Sequence, residues 1–326
     1  MAQETVAVTT PPTTAEPRRR GQLASVTRAL LRRRLATLAL IYIAIFYICG
    51  IFAPLIAPGN YRTQNLDQAL QSPSLDHPFG TDRLGRDMLT RVIYAARTTV
   101  IITVITVISG SLLIGPALGL LAGYRRGVAD ILINRFGEVV AGLPDLLIII
   151  FFTATFGPRL NEWIAQFYDA PVIGDSLRGG FGSLAVVAIV LTLLGWVGSM
   201  RFIRSLTLQV RESEYVLAAR SMGAGTWRVI LHHILPNVSF VLVLSVATAF
   251  GAVALAEISL TFLGLGVRPP VPSFGEMINA GAGVRTLEAH PHLLFIPSLF
   301  AVLLLLSWVL LGDALNDVLN PKTRDL

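Results

Sequence analysis

Six long apolar runs dominate this chain and restrict what it can fold into. They lie at roughly 35–57, 98–122, 136–157, 183–200, 238–262 and 293–312. A helix rises about 1.5 Å per residue, so about 20 apolar residues cross a hydrocarbon core of about 30 Å. Only 14% of the 326 residues are charged, against about 25% in a typical soluble domain. The sequence therefore predicts an all-α, polytopic membrane protein with six transmembrane helices.

The arginines predict how these helices are oriented. Lys322 is the only lysine among the 26 basic residues. Basic loops tend to stay on the cytoplasmic side of a membrane. With the N-terminus inside, most basic residues and both termini become cytoplasmic. The external segment ahead of the second run, which holds five arginines, agrees least with this orientation.

Composition divides the chain into three parts. Residues 1–30 form a cytoplasmic tail, and we expect Met1–Pro17 to be disordered because it has too few large apolar groups to pack. Residues 31–80 comprise the first transmembrane helix, expected to be retained, and an external segment. Residues 81–320 form the core transmembrane domain, with a cytoplasmic loop at 211–237.

An apolar pattern at helical spacing precedes the second run. Its members are Leu84, Met88, Leu89, Val92, Ile93 and Ala96. This spacing predicts an interfacial helix that leads into the second span, with Thr81 or Asp82 as its cap. A polar external loop with a structured end is the alternative.

Glycine and proline inside the apolar runs indicate close helix contacts and kinks. Gly115 with Pro116, and Gly142 with Pro144, are two such pairs. Small residues let helices approach closely, and proline bends a helix. Both moving and static membrane proteins use such residues.

The loop from Tyr215 to Asn237 is predicted to form two short helices around a glycine corner. The first covers Tyr215–Met222, and Gly223 with Gly225 interrupts it. Thr226 is the predicted cap of a second short helix that ends before Pro236.

This helical corner is a candidate docking element for a soluble partner. Its predicted apolar face consists of Ala218, Ala219, Val229, Ile230 and Ile234. Arg211, Arg220 and Arg228 would keep the loop on the cytoplasmic side. An ordinary basic loop between spans is the alternative interpretation.

Five ionisable residues lie near or within the apolar runs. They are Glu138, Asp145, Arg201, Glu257 and Asp313. Such groups are costly in hydrocarbon unless they are paired or face water. Asp145 and Glu257 lie deepest, either along a translocation path or in helix pairing. Proton or ion coupling through these two would make the chain a secondary transporter, and a membrane scaffold without transport is a third hypothesis.

No catalytic or metal-binding pattern is present in the sequence. A phosphate-binding Walker loop needs glycines followed by lysine, and Lys322 follows Pro321 instead. The five histidines show no zinc spacing, and Cys49 is the only cysteine. The arginines cluster at the ends of apolar runs, which favours membrane orientation over nucleic-acid binding. We therefore expect a chain that is not an enzyme and holds no metal or cofactor itself.

The loop motif LAARSMG, followed by HILP, resembles the EAA loop of permease subunits in binding-protein-dependent ABC importers. The matching residues are Ala218, Ala219, Gly223, His233, Leu235 and Pro236. Leu217 stands where the family has its glutamate. Three further segments, HPFGTDRLGRDMLTRVIYAART, EISLTFLGLGV and LLGDALNDVLNP, are similar to the second permease of dipeptide and oligopeptide importers.

The resemblance implies a type I ABC importer permease fold within a heteromeric complex. A second homologous permease, two cytoplasmic ATPase subunits or domains and an external solute-binding protein would be its partners, with lipid around the spans. ATP and Mg²⁺ would bind to the ATPases. The complex would lie in the bacterial plasma membrane.

The resemblance also assigns roles to two regions. The coupling loop to the ATPase would use Tyr215, Ala218, Ala219, Arg220, Gly223, His233, Leu235 and Pro236. External loops around 160–182 and 268–292 would receive the binding protein. Di- or oligopeptides are the expected substrates, with nickel chelates, glutathione and oligosaccharides left as alternatives.

Overall fold

The computed structural model describes residues 28, 30–166 and 182–319. The predicted tail at Met1–Pro17, most of the external loop at 160–182 and Lys322 lie outside these residues. Within the described part, all secondary-structure elements are helices, apart from a single β-bridge between Thr81 and Asp87. The all-α prediction is confirmed.

The helices are numbered here in chain order. They are α1 (Arg34–Ile51), α2 (Ala53–Ile56), α3 (Met88–Thr106), α4 (Gly115–Arg125), α5 (Gly127–Gly142), α6 (Asp145–Ala165), α7 (Gly182–Arg211), α8 (Glu214–Ser221), α9 (Thr226–Val229), α10 (Leu235–Phe262), α11 (Phe274–Gly281), α12 (Val284–Ala289) and α13 (His292–Leu319). A 3₁₀ turn covers Leu66–Gln68, and π-helical stretches cover Val107–Ile114 and Ile230–Ile234.

Among the described residues, five helical segments are long and apolar enough to cross a membrane. They are Arg34–Ile51, Met88–Arg125, Gly182–Arg211, Val241–Phe262 and His292–Val318. The pair α5 and α6 adds a sixth if it forms one bent span. This agrees with the six apolar runs. Most helices extend beyond the predicted runs because backbone hydrogen bonding continues where polar side chains reach water.

The second span is a single helical rod from Met88 to Arg125, in which a π-helical stretch joins α3 to α4. Gly115 and Pro116 follow that stretch. Proline lacks an N–H and its ring crowds the carbonyl of the residue four positions earlier, and a π turn widens the helix there. The glycine-proline pair is therefore absorbed without breaking the span.

Glycines on α4 bring it into close contact with α7. A Cβ atom at Gly119 would lie 2.5 Å from the carbonyl oxygen of Met200, and one at Gly123 would lie 2.7 Å from Cβ of Thr207. Neither position can hold a larger residue without moving the helices apart. The two helices therefore pack backbone against backbone, as small residues allow in membrane bundles.

The third run is broken rather than continuous. Helices α5 and α6 meet at an angle of 89°. Leu143 between them is extended, with φ −92° and ψ 140°, as expected for a residue before proline. The kink expected at Gly142 with Pro144 is confirmed, and it divides the apolar run at 136–157 into two helices.

Helix α3 contains five of the six residues of the apolar pattern ahead of the second span, and a loop with a structured end, the alternative given above, precedes it. Leu84 lies outside the helix, which starts at Met88 and continues into the membrane span. Asp87 caps it by accepting a hydrogen bond of 2.7 Å from the Thr90 N–H. Asp82 instead accepts from the backbone N–H groups of Leu84 and Arg86 in the preceding loop. The cap therefore lies five residues after the nearer predicted one.

Ion pairs account for two of the five arginines of this segment. The Arg86 Nε donates to Asp82 at 2.6 Å, and the buried Arg91 guanidinium donates to Glu276 on α11 at 2.5 Å. Arg91 Nη1 also lies 3.3 Å from Asp82. These contacts tie the segment before α3 to α11.

Candidate functional site

A helix, a glycine turn and a second helix form the projection between α7 and α10. Helix α8 ends in a Schellman motif, in which the Ala224 N–H donates to the Ala219 carbonyl and the Gly223 N–H to the Arg220 carbonyl. Gly223 adopts φ +84°, a conformation that glycine reaches at little cost and other residues seldom do. The glycine corner predicted from sequence is present.

The second half of the projection is not a separate helix. Helix α9 begins at Thr226, with Gly225 rather than Thr226 in the capping position. It runs through the π-helical residues Ile230–Ile234 directly into α10, so Pro236 lies inside a continuous helix. Pro236 lies in the first turn of α10, and the π turn ahead of it accommodates the missing N–H and the ring. A movement of the projection would therefore reach the fifth span without a flexible joint.

The apolar face predicted for this projection points mostly inward. Ala219, Val229, Ile230 and Ile234 are buried, and the last three pack against Leu120, Ile203, Val238 and Leu242 of the membrane helices. Ala218 is exposed. The prediction that these residues form one docking surface is wrong, because four of the five are buried and three of those attach the projection to the bundle.

A second apolar set faces outward. Its members are Tyr215, Leu217, Met222, Trp227 and Leu231, which are all exposed. Met222 exposes 82% of its surface and Trp227 64%. Arg220 and Arg228 are exposed beside them, whereas His233, Leu235 and Pro236 are half-buried. We call the exposed apolar residues Tyr215, Leu217, Met222, Trp227 and Leu231 the outward face.

Sequence reasoning found the projection but not its outward face. Tyr215, Leu217 and Met222 are not spaced to lie along one face of a single helix. The outward face forms only because the corner at Gly223 brings residues of two helices together. Leu217 was recognised only as a departure from a motif. In the structure it is one of several exposed apolar groups.

The base of the projection is clamped to the turn between α4 and α5. The Arg211 guanidinium donates to the Tyr124 carbonyl at 2.6 Å and lies over the Tyr124 ring. Arg126 on the same turn pairs with Glu212 at 2.7 Å. The projection is therefore attached both to α10 and to the second span.

The two intramembrane carboxylates occupy different environments. Glu257 on α10 is fully buried, and its oxygens accept hydrogen bonds from the Thr99 hydroxyl of α3 at 2.9 Å and from the Thr261 hydroxyl at 3.3 Å. Asp145 is the exposed first residue of α6, at the bend after Pro144. Glu257 and Asp145 therefore share no hydrogen-bonding partner among the described residues.

No group of three or more histidine, cysteine or acidic residues able to hold a metal ion occurs among the described residues.

Sequence reasoning also missed the ion pair that joins α5 to α7. The Arg204 guanidinium contacts both carboxylate oxygens of Asp130, at 2.5 and 2.7 Å. Arg204 and Asp130 are 74 residues apart in sequence, so no local pattern could indicate this ion pair.

Comparison with known proteins identifies the family. Residues 115–325 match the binding-protein-dependent transport system inner membrane component family. Residues 21–73 match the N-terminal transmembrane domain of oligopeptide transport permease C.

Relatives of similar length support the same assignment. The chain is 34% identical to the dipeptide transport system permease protein DppC of Bacillus subtilis over 297 residues, which cover 91% of this chain and 85% of the relative. It is 33% identical to OppC, the oligopeptide transport system permease protein of the same organism, over 91% of this chain and 89% of the relative. Identity to the glutathione transport system permease protein GsiD of Pectobacterium atrosepticum is 31%, over 91% and 90%. The chain belongs to the family of inner membrane components of binding-protein-dependent transport systems.

Proposed function

We propose that the chain is a permease subunit of an ATP-driven importer for di- or oligopeptides. The observation that supports this most directly is the projection between α7 and α10, which is rigidly joined to the membrane helices and carries an exposed apolar outward face. An apolar surface of this kind beside basic residues is suited to a protein partner. Names of relatives that include dipeptide, oligopeptide and glutathione transport support a peptide substrate.

In this proposal the projection is the contact with a cytoplasmic ATPase. Tyr215, Leu217 and Trp227 would enter an apolar groove on the ATPase, while Arg220 and Arg228 would face acidic groups at its edge. ATP and Mg²⁺ would be bound by two such ATPase subunits or domains, and no step of hydrolysis would occur in this chain. Both termini would be cytoplasmic, on the same side as the projection.

The mechanism follows from how the projection is attached. Closure of the ATPases would displace α8 and α9, and the continuous helix from Thr226 to Phe262 would carry that displacement into the fifth span. The clamp from Arg211 to Tyr124 would carry it into the second span. ATP would thereby favour one of two arrangements of the bundle through contacts made in only one of them.

The remaining partners would lie in the membrane and outside it. A second, homologous permease would complete the translocation path, and an external solute-binding protein would deliver the peptide. External residues between 263 and 291, which are packed against α10 and α13, would form part of the receiving surface.

Reconstitution tests this function. The complex purified through this chain should contain a second permease and an ATPase, and proteoliposomes with the binding protein should accumulate peptide only with ATP. Uptake by the isolated chain driven by a proton or sodium gradient would instead favour a secondary transporter that uses Asp145 and Glu257. If the chain supports neither ATP-driven nor gradient-driven uptake, it is a scaffold without transport.

A further inference from the structure

A cavity of about 650 Å³ lies between α7, α10 and α13, and the function proposed above does not assign it. Its lining includes Phe202, Leu255 and Trp308, which form an apolar wall. Its size is within the range of about 300–1,000 Å³ typical of small-molecule sites.

Four polar residues share this cavity. They are Ser245, Thr248, Asp313 and Asn316. Helices α10 and α13 run antiparallel here, since a Cβ atom at Gly251 would lie 2.8 Å from Cβ of Trp308 and one at Gly312 would lie 3.2 Å from Cγ2 of Thr248. The small residues bring the two helices together and place the polar groups of both on one side of the cavity.

Asp313 is the unneutralised carboxylate of this group. Within the described part of the chain it makes no ion pair, whereas Asp317, one turn later on α13, pairs with Arg33 at 2.5 Å. No lysine, arginine or histidine lines the cavity. Asp313 is exposed and lies five residues before the end of the candidate span at Val318, where a carboxylate is stable if it faces water or a cation.

The polar groups suit an ammonium ion in particular. An ammonium group offers three N–H donors and no acceptor. The carboxylate of Asp313, the amide oxygen of Asn316 and the hydroxyl oxygens of Ser245 and Thr248 are all acceptors. Both hydroxyls donate to carbonyls of their own helix, so their lone pairs remain available to a ligand.

The apolar wall is held rigid. The Trp308 ring stacks on Phe250 with centroids 5.0 Å apart and an interplanar angle of 7°, and Tyr47 contacts both rings edge-on. An apolar group attached to the ammonium carbon would therefore meet a fixed surface.

We propose that this cavity is a subsite for the N-terminal residue of a peptide in transit, with its α-ammonium group on Asp313 and its side chain against Trp308 and Leu255. The proposal rests on the peptide-import function proposed above. The cavity would select peptides that have a free amino terminus and an apolar N-terminal side chain.

The test measures binding of a radiolabelled leucyl dipeptide to the complete importer in phosphatidylcholine nanodiscs, without the binding protein. Asp313→Asn should weaken binding about tenfold or more, since a charged hydrogen-bonding partner is lost. Asp317→Asn removes the same charge one turn away and should leave binding unchanged. N-acetylation of the dipeptide should weaken binding to the unaltered complex to a similar extent, with little further loss in the Asp313→Asn complex.

Several outcomes would overturn this assignment. They are no binding to the unaltered complex, equal binding by Asp313→Asn, or an equal effect of acetylation on both complexes. A dependence on Asp313 seen only with phosphatidylethanolamine present would identify the lipid headgroup as the ligand, against the proposal. If Asp313→Asn does not assemble, Leu255→Trp, which fills the cavity from α10, should reduce binding instead, and unchanged binding there would refute the subsite.

Uptake separates this proposal from the function on which it rests. If the unaltered complex accumulates peptide with ATP while Asp313→Asn binds and imports equally well, the subsite is wrong and the importer stands. If the unaltered complex accumulates no peptide, the importer itself is refuted.

Discussion

Arg204 on α7 and Asp130 on α5 form a two-point ion pair, with Nε and Nη2 2.5 and 2.7 Å from the two carboxylate oxygens. The Asn134 amide also donates to the same carboxylate at 2.6 Å. Side-chain exposure is 30% for Arg204 and 15% for Asp130. The pair fixes α5, the first half of the bent segment, against the helix that leads into the projection.

Breaking this pair should destabilise the bundle. Asp130→Asn leaves a partly buried guanidinium without its counter-ion, and we expect a loss of about 1–3 kcal/mol. The melting temperature of the purified complex measures the effect. Glu138→Gln is the matched control because its exposed pair with Arg135 should contribute only about 0–1 kcal/mol. Equal melting temperatures for the two variants would contradict the prediction.

Gly223 should be sensitive to substitution through backbone conformation alone. A Cβ atom there meets nothing within 4 Å, yet its φ is +84°, which costs an ordinary residue about 1–2 kcal/mol. Gly223→Ala should therefore lower ATP-driven uptake and ATPase co-purification, and Gly223→Asn should lower them less, because asparagine tolerates this conformation.

Gly225 provides the control for that experiment. It also has open space around its Cβ position, but its φ is −68°. Gly225→Ala should leave co-purification and uptake close to those of the unaltered complex. A loss as large as that of Gly223→Ala would show that the turn needs flexibility rather than a left-handed residue.

The outward face should contribute to partner binding without contributing to folding. Trp227→Ala removes a large exposed ring, and we expect ATPase affinity to fall by tenfold or more while the melting temperature of the isolated chain stays constant. Leu75→Ala changes a fully exposed apolar residue elsewhere and should alter neither quantity. Undiminished ATPase binding by Trp227→Ala would exclude the outward face as the contact.

Glu257 should tolerate glutamine but not alanine. Glutamine keeps the volume and can still accept from Thr99, whereas alanine leaves a cavity between α3 and α10 and should cost about 2–4 kcal/mol. Melting temperatures of Glu257→Gln and Glu257→Ala measure this difference. Full ATP-driven uptake by Glu257→Gln is the expected result, and abolished uptake in a stable complex would favour proton coupling through this carboxylate.

Much of the fold could be predicted from local patterns. Apolar length indicates each span, and Gly223 indicates the corner of the projection because a left-handed residue at a helix end is a local requirement. The bend at Pro144 is also local, because a proline disfavours the helical conformation of the residue before it. The start of α3 was misplaced because Thr81, Asp82 and Asp87 can all act as caps, and only the contacts of the loop before α3 determine which one does.

The candidate site was predictable only in part. Ala219, Val229 and Ile234 were interpreted as a docking surface, since sequence periodicity shows that residues share a face but not what covers that face. The packing of α4 and α7 against the projection buries Val229 and Ile234, whereas Met222 and Trp227 are exposed. Glu257 is buried in the structure, and its partner Thr99 is 158 residues away in the sequence.

The sequence by itself determined the membrane-spanning helical class, the number of apolar runs and the position of the glycine corner, because hydrocarbon thickness and backbone conformation act on neighbouring residues. Only the tertiary structure decided the pairs Arg204 with Asp130 and Arg91 with Glu276, the outward face, and the cavity that contains Asp313. Each of these depends on which helices lie side by side. Helix packing is set by close contacts between distant segments, such as Gly119 against Met200, which no single stretch of sequence contains.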